Sequence, residues 1–324
     1  MRRGPAAARG GIATAGIARV VAATAAFLAL AVAAAPAAAQ AGGDRVAVVA
    51  SFSILRDFVA RVGGDRVDVT ALIGPGGNPH VYAPSPGDVR RAGAARLLVV
   101  NGLGFEGSID RLIAAAGTRV VVASRGVTRR ALPAPAPHGL HDPDPRGLDP
   151  HAWLSVAGAA IYVANIRDGL VAADPAARTL YDTNATTYLA ELARLDADIR
   201  SVLTAIPADR RKVITTHDAF GYFGAAYGID FIAAQGVSSE TEPSARDIAA
   251  IIRTIRRDRI PALFFESTVD PRLIHRIAAE TGIGIGGTLY SDSLTAEGPA
   301  ATYAGMMRHN AVTLADALRD GSSP

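Results

Sequence analysis

The sequence predicts an α/β protein of two lobes, each built on a sheet of roughly four parallel strands, joined by one long rigid helix. Three observations carry this. Short apolar runs such as Arg96-Leu97-Leu98-Val99-Val100 lack polar alternation, as strands buried on both faces require. These runs alternate with short helical stretches, the pattern of parallel sheets covered on both sides. The strand–helix–strand order of the first half also returns in the second.

Taken in chain order, residues 1–39 read as a secretory signal peptide. Arg2, Arg3, Arg9 and Arg19 precede or flank an apolar run at 20–34, and Ala37-Ala38-Ala39 offers a cleavage site before Gln40. The run is alanine-rich and shorter than the roughly 20 strongly apolar residues of a spanning helix. The first lobe is expected over 40–180. Its strand 46–50, helix 54–62 and strand 67–73 are followed by strand 97–100, helix 106–116 and strand 120–123. Residues 132–149, rich in Pro, Gly and Asp, read as a flexible loop. The linking helix is expected at 181–206, where Tyr188, Leu189, Leu192, Leu195, Ile199 and Leu203 recur near helical spacing and Pro207 stops the run. At 1.5 Å per residue it would be roughly 39 Å long, enough to run along both lobes. The second lobe, 207–324, repeats the pattern. Strand 212–216, helix 219–227 and strand 230–234 are followed by strand 262–265, helix 271–281 and strand 283–289. Ser244 with Asp247 three residues on reads as a helix cap.

Charge and cysteine usage narrow the function. The chain is formally +3, but the leader holds four arginines and no acid, so the remainder is about −1. That gives no electrostatic case for nucleic acid or an anionic membrane. The chain has no cysteine, which excludes disulfides, zinc-thiolate sites and a lipid-modified cysteine. Any metal site must use His, Asp and Glu, and the mature chain is expected in the periplasm without a lipid anchor.

Seven histidines are present, and three sit in distinctive loops. His80 lies in Gly76-Gly77-Asn78-Pro79-His80, beyond a strand. His151 lies in Leu148-Asp149-Pro150-His151-Ala152-Trp153, ahead of a helix. His217 lies in Thr215-Thr216-His217-Asp218, where a strand turns into a helix. Asp292, in Tyr290-Ser291-Asp292-Ser293, follows the last strand. Each alone reads as a surface or capping residue. Together they occupy the loops at the carboxyl ends of parallel strands, where α/β proteins place ligands, and a cleft between the lobes would gather them.

These segments resemble the metal-binding periplasmic solute-binding proteins of ABC transporters, the zinc and manganese uptake receptors. The resemblance runs over about 46–318. It rests on Asn78-Pro79-His80 with Pro84-Ser85-Pro86, Asp149-Pro150-His151-Ala152-Trp153, and Thr216-His217-Asp218-Ala219-Phe220-Gly221-Tyr222-Phe223. Phe264-Phe265-Glu266-Ser267, Leu289-Tyr290-Ser291-Asp292 and Met306-Met307-Arg308-His309-Asn310 add to it. It implies two α/β lobes on one rigid helix, with metal ligands at His80, His151, His217 and Asp292 in the inter-lobe cleft. It also implies a monomer that partners an ABC transporter membrane permease, with a periplasmic metal-loading protein as a further candidate partner. Manganese-type members carry Glu at the third ligand position. His217 there makes three imidazoles and one carboxylate, a set that suits tetrahedral Zn²⁺, with Mn²⁺ as the alternative if Asp292 binds through both oxygens.

His138 and His141, with Asp142 and Asp144, resemble a short form of the family's His-rich loop. Transient metal collection and a plain loop both remain open there. Glu240 and Asp218 are candidate acceptors for the second imidazole nitrogens. His275 reads as solvated and His309 as structural. A metallohydrolase would need an open coordination position, which four protein ligands close, and no His-Glu-x-x-His run is present, so no enzyme is expected. An adhesin is disfavoured by the lack of a lipidation cysteine.

Overall fold

The computed structural model describes Met1, Gly4 and residues 45–107, 109, 114, 116–132, 147–236 and 243–319. The leader reading, most of the expected helix 106–116, and His138, His141, Asp142, Asp144 and Glu240 lie outside the described residues. Arg45–Pro324 forms one compact unit.

The first sheet holds β1 (Val46–Phe52), β2 (Val67–Ile73), β3 (Leu97–Val100) and β4 (Val120–Val122), in the order β2-β1-β3-β4. The second holds β5 (Lys212–Thr215), β6 (Asp230–Ala233), β7 (Leu263–Glu266) and β8 (Ile285–Leu289), in the order β6-β5-β7-β8. All pairs are parallel. The two sheets therefore share one topology. In each, the chain departs from a central strand in both directions, which opens a crevice at the carboxyl ends of β1/β3 and of β5/β7.

The helices are α1 (Ser53–Gly63), α2 (Pro86–Ala94), α3 (Val156–Ala173), α4 (Arg178–Thr204), α5 (Gly221–Tyr227), α6 (Ala245–Asp258), α7 (Arg272–Thr281) and α8 (Tyr303–Arg319). Two start in capping boxes: Ser244 with Asp247 opens α6, as expected from the sequence, and Ser85 with Asp88 opens α2, which the sequence reading does not name. α3 is long and apolar enough to cross a membrane, but it is a core helix packed against α1, α4, β3 and β4.

The long helix α4 has 27 residues, so it is about 40 Å long. It begins three residues earlier than expected, because a 3₁₀ turn at Pro175–Ala177 feeds directly into it, and it ends at Thr204. Tyr181, Ala185, Tyr188, Leu192, Leu195, Ile199 and Leu203 form its buried stripe. That stripe meets α1 and α3 on the first-sheet side and α5 and α8 on the second. One continuous apolar core runs from Phe52, Phe58 and Trp153 to Val213, Phe264 and Met306, so the two lobes share a core. A second, smaller core under α6 and α7 holds Ile214, Ile251, Ile255, Leu263 and Ile277.

Candidate metal centre

All four expected side chains arrive at the carboxyl edges of the sheets. His80 sits in a 3₁₀ turn, Pro79–Val81, past β2, where Asn78 Oδ1 accepts its backbone N–H at 2.9 Å. His151 immediately precedes the 3₁₀ turn Ala152–Leu154. His217 follows β5, and Asp292 follows β8.

The four converge. Their ligand atoms all lie within 4.8 Å of one another. His217 Nε2 is 3.1 Å and His80 Nε2 3.4 Å from Asp292 Oδ2, while His151 Nε2 is 3.5 Å from Oδ1. The Nε2 atoms of His80 and His151 are 3.4 Å apart. A tetrahedron with metal–ligand bonds of about 2.0–2.1 Å has an edge of roughly 3.3–3.4 Å, close to these four contacts of 3.1–3.5 Å. The His151, His217 and Asp292 side chains are fully buried, and that of His80 is 8% exposed.

Two imidazoles are held from behind by carboxylates. Asp149 Oδ1 accepts the backbone N–H of His151 and lies 2.9 Å from its Nδ1. Glu266 Oε1 accepts the His217 N–H at 2.8 Å, and Oε2 lies 2.6 Å from Nδ1. Each contact turns the opposite nitrogen, Nε2, toward the centre. Asp149 and Glu266 thus take the role expected of Asp218, whose backbone N–H instead donates to Gly236 O. His80 has no such carboxylate among the described residues; its ring stands edge-on to Phe105, centroids 5.3 Å apart. Gly221 permits the close approach of α5, since a Cβ there would lie 2.4 Å from Asp149 Oδ2.

Electrostatics mark the centre as a cation site. Burial opposes a proton on His217, but the charges of Glu266 and Asp292 outweigh it and hold its pKa well above the usual histidine value. Burial alone would raise Asp292, yet His217 and His80 hold it well below the carboxylate range. Burial lowers His80, against the pull of Asp292. The contacts are close but poorly aligned: His217 Nδ1 and Nε2, Glu266 Oε2 and both Asp292 oxygens are buried without a well-directed hydrogen bond. Buried polar atoms of this kind are costly unless something satisfies them, and a divalent ion at the centre would satisfy His217 Nε2 and Asp292.

The site is also stitched across the lobes. Trp153 Nε1 donates to Ser291 O at 2.8 Å, and Tyr303 Oη donates to Trp153 O at 2.7 Å. Gly76 N donates to Ser293 Oγ, Ser53 Oγ accepts from Leu294 N, and Asn78 Nδ2 donates to Thr268 O. The remaining described histidines are as expected: His275 is exposed beside Phe265, and His309 bonds Thr288 O.

Fold and site together define a two-lobe solute receptor with a His/His/His/Asp cluster for a divalent metal between the lobes. Residues 48–317 match the family described as zinc-uptake complex component A, periplasmic (ZnuA), and the chain belongs to it: it is a metal-binding solute-binding protein of ABC transporters. It is 36% identical over 277 residues to the manganese-binding lipoprotein MntA of Halalkalibacterium halodurans, covering 85% of this chain and 89% of that one. It is 34% identical over 270 residues to the iron-binding protein YfeA of Yersinia pestis, covering 83% and 85%. Among solved structures, the periplasmic zinc-binding protein TroA of Treponema pallidum superposes with a TM-score of 0.76 at 30% identity, covering 85% of this chain and 99% of that one. The family consists of transport receptors rather than enzymes, and its members work with a membrane permease and an ATPase. The names of these three relatives carry three different metals.

Proposed function

We propose that the chain is a periplasmic zinc receptor that binds the ion through His80, His151, His217 and Asp292 and hands it to the permease of an ABC transporter. The observation that carries the metal assignment is His217: a third imidazole nitrogen, 3.1 Å from Asp292, with Glu266 behind it. Three nitrogens and one carboxylate favour zinc over manganese in affinity. TroA, named for zinc, supports this reading. A manganese or mixed receptor is the second reading. It is favoured by Asp292, whose two oxygens both face imidazoles and so could bind the ion together, giving five ligand atoms. The names of MntA and YfeA support that alternative.

We further propose that the receptor is exported as a soluble monomer with lobes at 40–180 and 207–324 about the linking helix. The leader-like start and the lack of cysteine support the export route without a lipid tether. The test is metal analysis of the purified protein, followed by competition of Zn²⁺ against Mn²⁺ for wild type and for alanine variants of the four ligands. Zinc retained, bound more tightly than manganese and weakened by each substitution is the expected result. Preferential retention of manganese would overturn the zinc reading.

A further inference from the structure

Among the described residues no carboxylate stands behind the His80 imidazole, and it meets the ring of Phe105. Phe105 stands edge-on to His80 at 83° and also meets His151, Trp153 and Phe52. Phe105 is carried by the turn that leaves β3, and the backbone of that turn is unusual. Gly102, Leu103 and Gly104 have φ of +84°, +56° and +87° in succession. Leu103 is one of two non-glycine residues with positive φ among the described residues. A non-glycine side chain in this region is strained and persists only where its surroundings hold it.

The holding group is Glu106. Its buried carboxylate gathers three donors: the N–H of Asn101 and the hydroxyl of Ser51 (2.9 Å) on Oε1, and the N–H of Gly102 (2.9 Å) on Oε2. Asn101 in turn donates to Pro150 O at 3.0 Å and accepts from Tyr162 Oη, which anchors the turn to the helix layer. Ser51 is the penultimate residue of β1 and Asn101 follows β3, so Glu106 sits at the crevice of the first sheet. Glu266, at the end of β7, sits at the matching crevice of the second. Glu266 reaches its imidazole directly, whereas Glu106 reaches one through Phe105.

We propose that Glu106 is a positioning residue of the metal centre: by bracing the turn 101–106 it sets Phe105 against His80, and so sets how tightly His80 holds the ion. This rests on His80 being a ligand. The experiment measures zinc affinity and zinc release rate for the purified protein and for Glu106→Gln, His80→Ala and His217→Ala, with Glu106→Gln combined with each alanine variant. In Glu106→Gln the neutral amide presents an –NH₂ to donors that need an acceptor, and the turn relaxes. The expected result is an affinity lower by about tenfold or more, chiefly through faster release. That loss should shrink to within about twofold of no effect in the His80→Ala background, and persist in the His217→Ala background. A merely structural role would give the same loss in both backgrounds, and that result, or no loss at all, overturns the proposal. If Glu106→Gln shows no cooperative unfolding transition, Phe105→Leu replaces it in the same comparison, with the same two outcomes. If His80→Ala by itself leaves zinc affinity unchanged, the ligand assignment has failed; if it lowers affinity and the Glu106 effect ignores the background, only the positioning role has.

Discussion

His217 and Glu266 meet twice in the buried centre: the backbone N–H of His217 donates to Oε1 at 2.8 Å, and Nδ1 lies 2.6 Å from Oε2. One carboxylate therefore meets both the backbone and the ring of the same candidate ligand. Glu266→Gln keeps the volume and removes the charge. Zinc affinity should fall ten- to a hundredfold, the usual range for such supporting groups, with the cooperative unfolding transition retained. Chelator competition measures it; an unchanged affinity would show that the ring is held by other contacts.

Acid should weaken zinc binding from a higher pH than free histidine suggests. With ordinary histidines the loss would set in below about pH 6. His217, however, is held well above its usual value by Glu266 and Asp292, despite its burial. A group with a raised folded-state pKa lends stability that is full below its unfolded value, about 6.5, and lost as pH rises through the folded one. The metal-free protein should therefore lose stability as pH climbs above about 6.5 and through the raised folded-state value, while zinc affinity rises over the same interval as the ion displaces that proton. Thermal unfolding of metal-free protein across this range, with and without His217→Ala, checks the sign: the variant should flatten the trend.

Selectivity should shift with a single ligand. His217→Glu leaves two nitrogens and two carboxylates, a harder set with one more negative charge beside Glu266. The zinc-to-manganese affinity ratio should narrow, even if zinc remains the tighter ion. A ratio equal to wild type in parallel competition titrations would move the origin of selectivity to the way Asp292 coordinates.

Tyr303 Oη donates to Trp153 O at 2.7 Å, a fully buried bond between the two lobes. Tyr303→Phe leaves that carbonyl without its donor, at a cost of about 1–3 kcal/mol. Urea unfolding should show a lower midpoint with an unchanged slope. No shift in midpoint would mean that the carbonyl finds another donor.

Loading should change the overall shape little. The 27-residue α4 contacts both lobes, and one apolar core runs through them. Small-angle scattering of metal-free and zinc-loaded protein should nearly superimpose. A drop in radius of gyration of the size produced by hinge closure would contradict a rigid receptor.

The strands were legible because residues buried on both faces write themselves as apolar runs. β2 and β3 match their expected ranges, and the other strands differ only at their ends. Helix α3 was harder to read, because it is apolar nearly all round and shows no stripe. The gathering of His80, His151, His217 and Asp292 followed from their places at strand ends together with the family motifs. The carboxylates behind them did not. Asp149 had a local signal, standing two residues before His151 in Asp-Pro-His and bonding its N–H. Glu266 had no local signal, only its place in the motif Phe264-Phe265-Glu266-Ser267, being 49 residues from His217 and adjacent because β5 pairs with β7. Asp218, next to His217 in sequence, was the more visible candidate, yet the carboxylate against the His217 ring is that of Glu266.

Trp153 is the chain's one tryptophan, fully buried, with its ring 5.2 Å from that of His151 and its Nε1 on Ser291 O across the lobes. All indole emission therefore comes from one address, in contact with a candidate metal-ligating side chain and with the residue beside Asp292. Filling the centre or parting the lobes must alter the surroundings of that one chromophore. Unlabelled protein thus carries its own optical reporter, and occupancy and lobe separation can be followed by light in real time without attaching a dye.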